Sequence, residues 1–209
     1  MPSTWPTKAQ VDAYVAAAGL TVGSIDATNL IASAVAQIER MTGWVPFLAS
    51  SSATRTFDPP GSVVKGTGYP GGGGNLLKLR CGLISVSALT ANGVSMTEGT
   101  DFWLGPGYAA PYQTIRFARP IIGAPRSVSI TGIWGYSATI PDDIWQACMD
   151  FSASYVASAI AEGIASGATE WQELDSREKY DPRILGDLGS RWSKSAEKAL
   201  ARFPARIPL

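Results

Sequence analysis

The sequence predicts an α+β protein: a helical bundle core with an inserted small antiparallel β unit and an extended, partly helical C-terminal arm. Apolar residues recur at helical spacing within residues 1–48 and again within 139–165, which indicates the helices of the core. Short alternating runs broken by Gly and Pro fill residues 49–138 and indicate strands. Residues 166–209 combine a polar linker with a basic segment that ends in prolines, and we expect these to form the arm.

The composition is that of a folded protein with little surface charge. Of the 209 residues, 45% are hydrophobic and 16% are charged, which disfavours disorder of the whole chain. The low charged fraction also favours a surface that neighbouring subunits partly cover. Lys and Arg together number 17, as do Asp and Glu, and a formal net charge of zero disfavours a globally basic nucleic-acid binder.

Two helices are predicted in the first segment. Thr7 and Gln10 have the spacing of a capping box, which starts the first helix. The second helix opens near Ser24 and ends at Gly43, because glycine favours the left-handed conformation of a helix C-cap. Pro46 then disfavours helix in the residue before it. The apolar stripe of the second helix consists of Leu30, Ile31, Ala34, Val35, Ile38 and Met41.

Strands are predicted from short runs of β-branched, aromatic and leucine residues. The dipeptide Asn92-Gly93 follows one run and is typical of a two-residue hairpin turn. Gly or Pro interrupts the intervals between runs, which favours an antiparallel unit with short connections. The runs are Thr54–Phe57, Leu76–Leu79, Val86–Thr90, Asp101–Leu104, Thr114–Phe117 and Val128–Trp134.

A long helix is predicted after the strands, and a basic helix near the C-terminus. Pro141 suits a first helical turn, and the acidic residues after it favour a helix N-terminus. Two apolar stripes follow, so we expect this helix to pack on the second helix and on a neighbouring subunit. The last helix is expected from about Ser190 to Phe203. The stripes consist of Ile144, Cys148, Phe151 and Tyr155, and of Trp145, Met149, Val156 and Ile160.

The residue types disfavour most catalytic and metal-binding schemes. Histidine is absent, which removes Ser-His-Asp and Cys-His catalysis and histidine-ligated metals. Cys81 and Cys148 lack CxxC spacing and favour reduced structural thiols. Residues 66–71 match GxGxxG, but Pro70 and the glycines after it prevent the helix that a dinucleotide site needs. We therefore expect no enzyme, no metal and no cofactor.

The N-terminus and the hydropathy predict a soluble, intracellular chain. Residues 1–5 lack the charged and apolar regions of a signal peptide. Apolar runs stay well short of the roughly 18 residues that a membrane span needs. We therefore expect no membrane partner.

Aromatic residues cluster in and beside the predicted strands. Such rings stack on sugars, so an aromatic-rich carbohydrate-binding module is one alternative function. Packing in a core or an interface is the more frequent use of these side chains. The residues are Trp103, Tyr108, Tyr112, Trp134 and Tyr136.

The C-terminal segment has a local excess of positive charge. From Ser190 onward five basic residues stand against the single acid Glu197. Four of them recur at intervals of three, four and four residues, so they share one face of a helix. This face is either simply solvated, or it docks on an acidic partner or near DNA phosphates.

The order of the motifs is informative as a whole. An amphipathic helix ends in Gly43-Trp44, and the β segment includes the run Thr97–Trp103 after a two-residue turn. That segment closes with Trp134-Gly135-Tyr136, and Pro141-Asp142-Asp143 opens the long helix. This order, over about residues 24–162, resembles the head-to-tail connector (adaptor) proteins of tailed bacteriophages.

The resemblance implies a structural virion protein. Its subunits are expected to form a ring, a dodecamer, that binds the portal on one side and tail or neck proteins on the other. Genomic double-stranded DNA would pass non-specifically through the centre. The chain would be assembled in the host cytoplasm and located at the neck of the virion. Another neck or tail-completion protein is the alternative within this class.

The resemblance also implies contact residues. In such families the C-terminal segment often reaches into the portal, so we expect the arm to bind the portal through apolar side chains and cations. The second stripe of the long helix is the expected ring contact. The portal-binding set is Arg191, Lys194, Lys198, Arg202, Phe203, Arg206, Ile207 and Leu209, and the ring-contact set is Trp145, Met149, Val156 and Ile160.

Overall fold

The structure, a computed structural model, describes residues 2–20, 25–60, 74–107, 109–165 and 182–203. Within these ranges the chain forms two compact units. The helical unit combines residues 2–43 with the described part of 139–203, and the sheet unit is the described part of 44–138. The glycine-rich loop before Gly74, the polar linker after Ala165 and the residues beyond Phe203 lie outside the described residues.

The described part of the helical unit consists of α1 (Lys8–Ala17), α2 (Ala27–Thr42), α3 (Asp142–Ala165) and α4 (Pro182–Ala201). Thr7 and Gln10 form the capping box of α1, and Gly43 ends α2 with φ at 72°; both predictions are confirmed. α3 is the central helix, because it packs against α4, α2 and α1. None of these helices is long and apolar enough to cross a membrane, as far as the described residues go.

The sheet unit contains one antiparallel sheet, with six strands in the described residues. The strands are β1 (Ala53–Phe57), β2 (Leu76–Ala91), β3 (Val94–Ser95), β4 (Phe102–Gly105), β5 (Tyr112–Phe117) and β6 (Val128–Trp134). Their order is β1-β6-β2-β5-β4, and β3 pairs with the end of β2. Asn92 and Gly93 form the turn between β2 and β3 with φ values of 52° and 78°, which confirms the predicted hairpin.

The sheet has a hydrophobic core of its own. β2 is 16 residues long and pairs with both β5 and β6. The register between β2 and β6 shifts along the strand, for example between Val86 and Ala88. Shifts of this kind, like β-bulges, bend a strand, and the sheet is curled. The curled sheet encloses a buried cluster that includes Leu79, Ile115 and Trp134, each at 0% exposure.

The expectation of a helical bundle core with a small β insertion is wrong. The strands form an extensive curled sheet that buries a core separate from the helices. Two of the predicted runs, Leu76–Leu79 and Val86–Thr90, are parts of the single strand β2. Alternation along a run shows where a strand lies, but not how much apolar surface several strands bury together.

The expectation of an extended C-terminal arm is also wrong. α4 begins at Pro182 rather than near Ser190, and it packs along α3. Leu185, Trp192 and Leu200 are 1%, 9% and 5% exposed. The apolar sides of α3 are therefore covered within one chain, where the sequence predicts a neighbouring subunit for one of them.

Candidate functional site

The two cysteines are packing residues and do not belong to a metal site of the described residues. The described residues contain no group of three or more His, Cys, Asp or Glu that could hold a metal ion. Cys81 lies in the sheet unit and Cys148 in the helical unit, and both thiols are buried and reduced. Burial raises the pKa of the Cys148 thiol to about 12, so it is protonated and a poor nucleophile at neutral pH.

Two motifs of the sequence meet where the sheet unit begins and ends. The ring centroids of Trp44, just after α2, and Tyr136, just after β6, lie 5.0 Å apart. The ring of Phe47 lies 4.9 Å from that of Tyr136. The Phe47 carbonyl accepts hydrogen bonds from the backbone N–H groups of Tyr136 and Ser137. We call Trp44, Phe47 and Tyr136 the aromatic junction; it ties the first residues of the sheet unit to its last.

Two glycines allow the backbone to approach closely at the aromatic junction. The N–H of Gly135 donates to the carbonyl of Gly82 over 2.9 Å. A Cβ at Gly82 would lie 2.3 Å from the Gly135 oxygen and 3.0 Å from Trp44. Gly135 has φ at 151°, and a Cβ there would meet Ala49 at 2.8 Å. The Trp-Gly-Tyr motif is therefore explained by packing at this junction.

The aromatic residues considered for carbohydrate binding do not form a shared exposed surface in the described part of the chain. Trp134 is 0% exposed and belongs to the sheet core. Tyr112 and Tyr136 are half-buried, and Tyr108 lies outside the described residues. Trp103 is 45% exposed. The rings that the structure describes are thus used mainly in packing.

α4 presents one side to α3. Its buried positions recur at intervals of three and four residues, which is the spacing of one helix face. A Cβ at Gly189 would lie 3.6 Å from the Ser154 carbonyl oxygen, so the two helices approach closely there. The spacing is visible in the sequence, and with it the packed side of α4 could have been found. The positions are Leu185, Gly189, Trp192, Ala196 and Leu200.

The opposite side of α4 carries the α4 basic row, which we define as Arg191, Lys194, Lys198 and Arg202. All four residues are exposed. At 3.6 residues per turn they lie across the helix from the packed positions. Within the described residues, one member of the row forms an ion pair: Arg191 lies 2.8 Å from Asp187, and both side chains are largely exposed. This row is the candidate functional site.

The remaining members of the expected portal-binding set do not lie in this row. Phe203 is half-buried and lies two residues beyond the end of α4. Arg206, Ile207 and Leu209 lie outside the described residues. The structure therefore places the four cations on the exposed side of α4 and leaves Phe203 half-buried next to Arg202.

The expected ring contacts are used inside the subunit. Met149, Val156 and Ile160 are 4%, 0% and 2% exposed. Of this set, Trp145 keeps accessible surface, and it lines a shallow cleft at the start of α3 together with Asp142 and Asp143. The apolar stripe on α3 is thus a core feature of the helical unit.

A polar network ties α1, α3 and α4 together. The Tyr14 hydroxyl donates to Asp150 Oδ1 over 2.8 Å, and Gln146 Nε2 donates to the same oxygen over 2.9 Å. Trp192 is hydrogen-bonded to Tyr14, and their ring centroids are 5.9 Å apart. Burial, followed by the Asp150 carboxylate, raises the pKa of Tyr14 to about 12. Sequence reasoning missed this network because Tyr14 and Asp150 are 136 positions apart.

Neither a family model nor a curated protein matches this chain. Function is therefore inferred from the motifs, the aromatic junction and the α4 basic row.

Proposed function

We propose that this protein is a structural virion subunit, a head-to-tail connector that forms a ring beneath the portal of a tailed bacteriophage, joins it to the tail or neck and lets genomic DNA pass. The observation that carries the proposal is the ordered set of motifs around the aromatic junction. Trp44 and Tyr136, which belong to the two flanking motifs of the resemblance, pack against each other where the sheet unit starts and ends.

Exposed apolar side chains support a ring of identical subunits. Val94, Ile122 and Ile184 are 61%, 71% and 63% exposed. A closed ring needs two different surfaces on each subunit, because neighbours meet head to tail. Burial of large apolar side chains between subunits would stabilise such contacts. We propose a dodecamer whose contacts use exposed residues of this kind.

The portal contact is proposed at Phe203 and the residues after it. The resemblance implies that this end of the chain reaches the portal. Because α4 is packed on α3, the contact would form with the helix already in place. An apolar groove on the portal that accepts Phe203 and, later in the sequence, Ile207 and Leu209 would suit this end of the chain.

Co-sedimentation tests the proposal. Capsids that carry the portal but lack this protein and the tail are mixed with the purified full chain and centrifuged through a gradient. We expect the chain to sediment with the capsids as a ring, and to lose this ability when residues 204–209 are deleted. Lys8→Gln, an exposed change on α1, is the control and should bind normally. A chain that stays at the top of the gradient, or that binds purified tails but no portal, contradicts the connector role.

A further inference from the structure

The α4 basic row has no role in the packing of its own helix. Its four side chains point away from the packed side of α4, and one acid of the described residues, Asp187, pairs with the row. We propose that the row contacts the phosphates of double-stranded DNA. The proposal rests on the connector function, in which duplex DNA passes through the ring.

The dimensions of the row match a duplex. From Arg191 to Arg202 the helix rises about 16 Å, at 1.5 Å per residue. B-DNA carries one phosphate about every 3.4 Å along each strand, so this length faces roughly five phosphates of one strand. Lys and Arg reach phosphates through long side chains and read no bases in doing so. The contact would therefore be independent of DNA sequence.

The surroundings of the row favour DNA over an acidic protein surface. Between Arg191 and Arg202 the exposed residues other than the cations are Ser195, Glu197 and Ala201. Protein interfaces are anchored by large apolar or aromatic side chains in addition to charges. The stretch from Arg191 to Arg202 exposes none of them, and the exposed Ile184 lies about two helical turns before it. A row of cations without an apolar anchor matches the regular charge of a phosphate backbone.

The contact should be weak and sensitive to salt. Four cations that each release a counterion give a slope of about −3.6 for the logarithm of the binding constant against the logarithm of salt concentration. Raising KCl from about 20 to about 50 mM would then weaken binding about 25-fold. The formal net charge of zero gives the chain no overall attraction to DNA, so binding has to come from a local group of cations such as the row. Weak, sequence-independent contact suits DNA that has to move past the subunit.

The test is fluorescence anisotropy of a labelled mixed-sequence duplex of about 24 base pairs, titrated with the full chain over a range of low salt. The row variant Lys194→Gln/Lys198→Gln/Arg202→Gln should bind more than about 30-fold more weakly and have a slope near −0.9. Asp187→Asn should bind roughly three- to tenfold more tightly, because it removes a negative charge that lies beside the row and repels phosphates. The matched control Arg116→Gln/Arg119→Gln/Arg126→Gln removes the same charge from exposed residues of the sheet unit and should bind like the unmodified chain.

Three results would overturn the proposal. The first is equal weakening by the row variant and by the control, which would mean that net charge alone drives binding. The second is tighter binding of poly-L-glutamate than of the duplex at equal charge, which would assign the row to an acidic protein surface. The third is a duplex affinity that Asp187→Asn leaves unchanged or lowers. Thermal melting confirms that each variant is folded. Loss of portal co-sedimentation would contradict the connector role separately, because that assay contains no free DNA.

Discussion

Replacing Trp192 with alanine tests whether α4 belongs to the folded core of the helical unit. Trp192 is 9% exposed and its ring lies 5.9 Å from that of Tyr14. A buried indole removes roughly 150–250 Å² from water, which at about 25 cal/mol per Å² corresponds to about 4–6 kcal/mol. Compaction of the unfolded chain lowers this to about 3–5 kcal/mol. Because domains are stable by only about 5–15 kcal/mol, Trp192→Ala should remove much of the stability of this unit.

Urea unfolding followed by far-UV circular dichroism measures the effect. Lys194→Ala, an exposed change two residues away, is the matched control and should alter the unfolding free energy by less than about 0.5 kcal/mol. Truncation after Gly189 removes Trp192 and Leu200 together and should unfold the helical unit. The hypothesis of a mobile arm predicts the reverse for this truncation, with stability nearly unchanged. If the truncated chain and Trp192→Ala both unfold at the urea concentration of the full chain, the packing argument for α4 is refuted.

Three further predictions concern single residues. The pKa of Tyr14 is raised from 10.0 to about 12 in the folded state. The stability that its protonated hydroxyl contributes is therefore complete below pH 10 and is lost as the pH rises toward 12. In urea titrations, Tyr14→Phe should lose less stability than the unmodified chain over that pH interval. Gly82→Ala should lower the melting temperature strongly, because its Cβ would lie 2.3 Å from a backbone oxygen. Gly186→Ala, at an exposed helix position with open space, should instead stabilise the folded chain by about 0.5–1 kcal/mol. Equal effects of the two substitutions would contradict the junction geometry. Cys148 should resist Ellman's reagent at pH 8 until urea unfolds the chain, and rapid labelling of the native protein at two thiols would argue against its burial.

The sequence by itself determined the features that depend on neighbours along the chain. The capping box of Thr7, the left-handed Gly43 and the Asn92-Gly93 turn are all present in the structure as predicted. Each depends on hydrogen bonds or backbone angles within a few residues, so local residue type is sufficient to specify it. The α4 basic row is of the same kind, because helical spacing alone places its four cations on one face.

Only the tertiary structure decided which apolar faces cover each other. Most of the α3 stripe for which the sequence predicted a neighbouring subunit is buried within one chain, since Met149, Val156 and Ile160 belong to the core. The network around Asp150 joins residues of three helices, and the aromatic junction joins Trp44 to Tyr136. Hydrophobic burial is non-directional, so an apolar stripe indicates that it will be covered but not by what. The partner is set by the path of the whole chain, and that path brought α4 onto α3 with its cations facing outward.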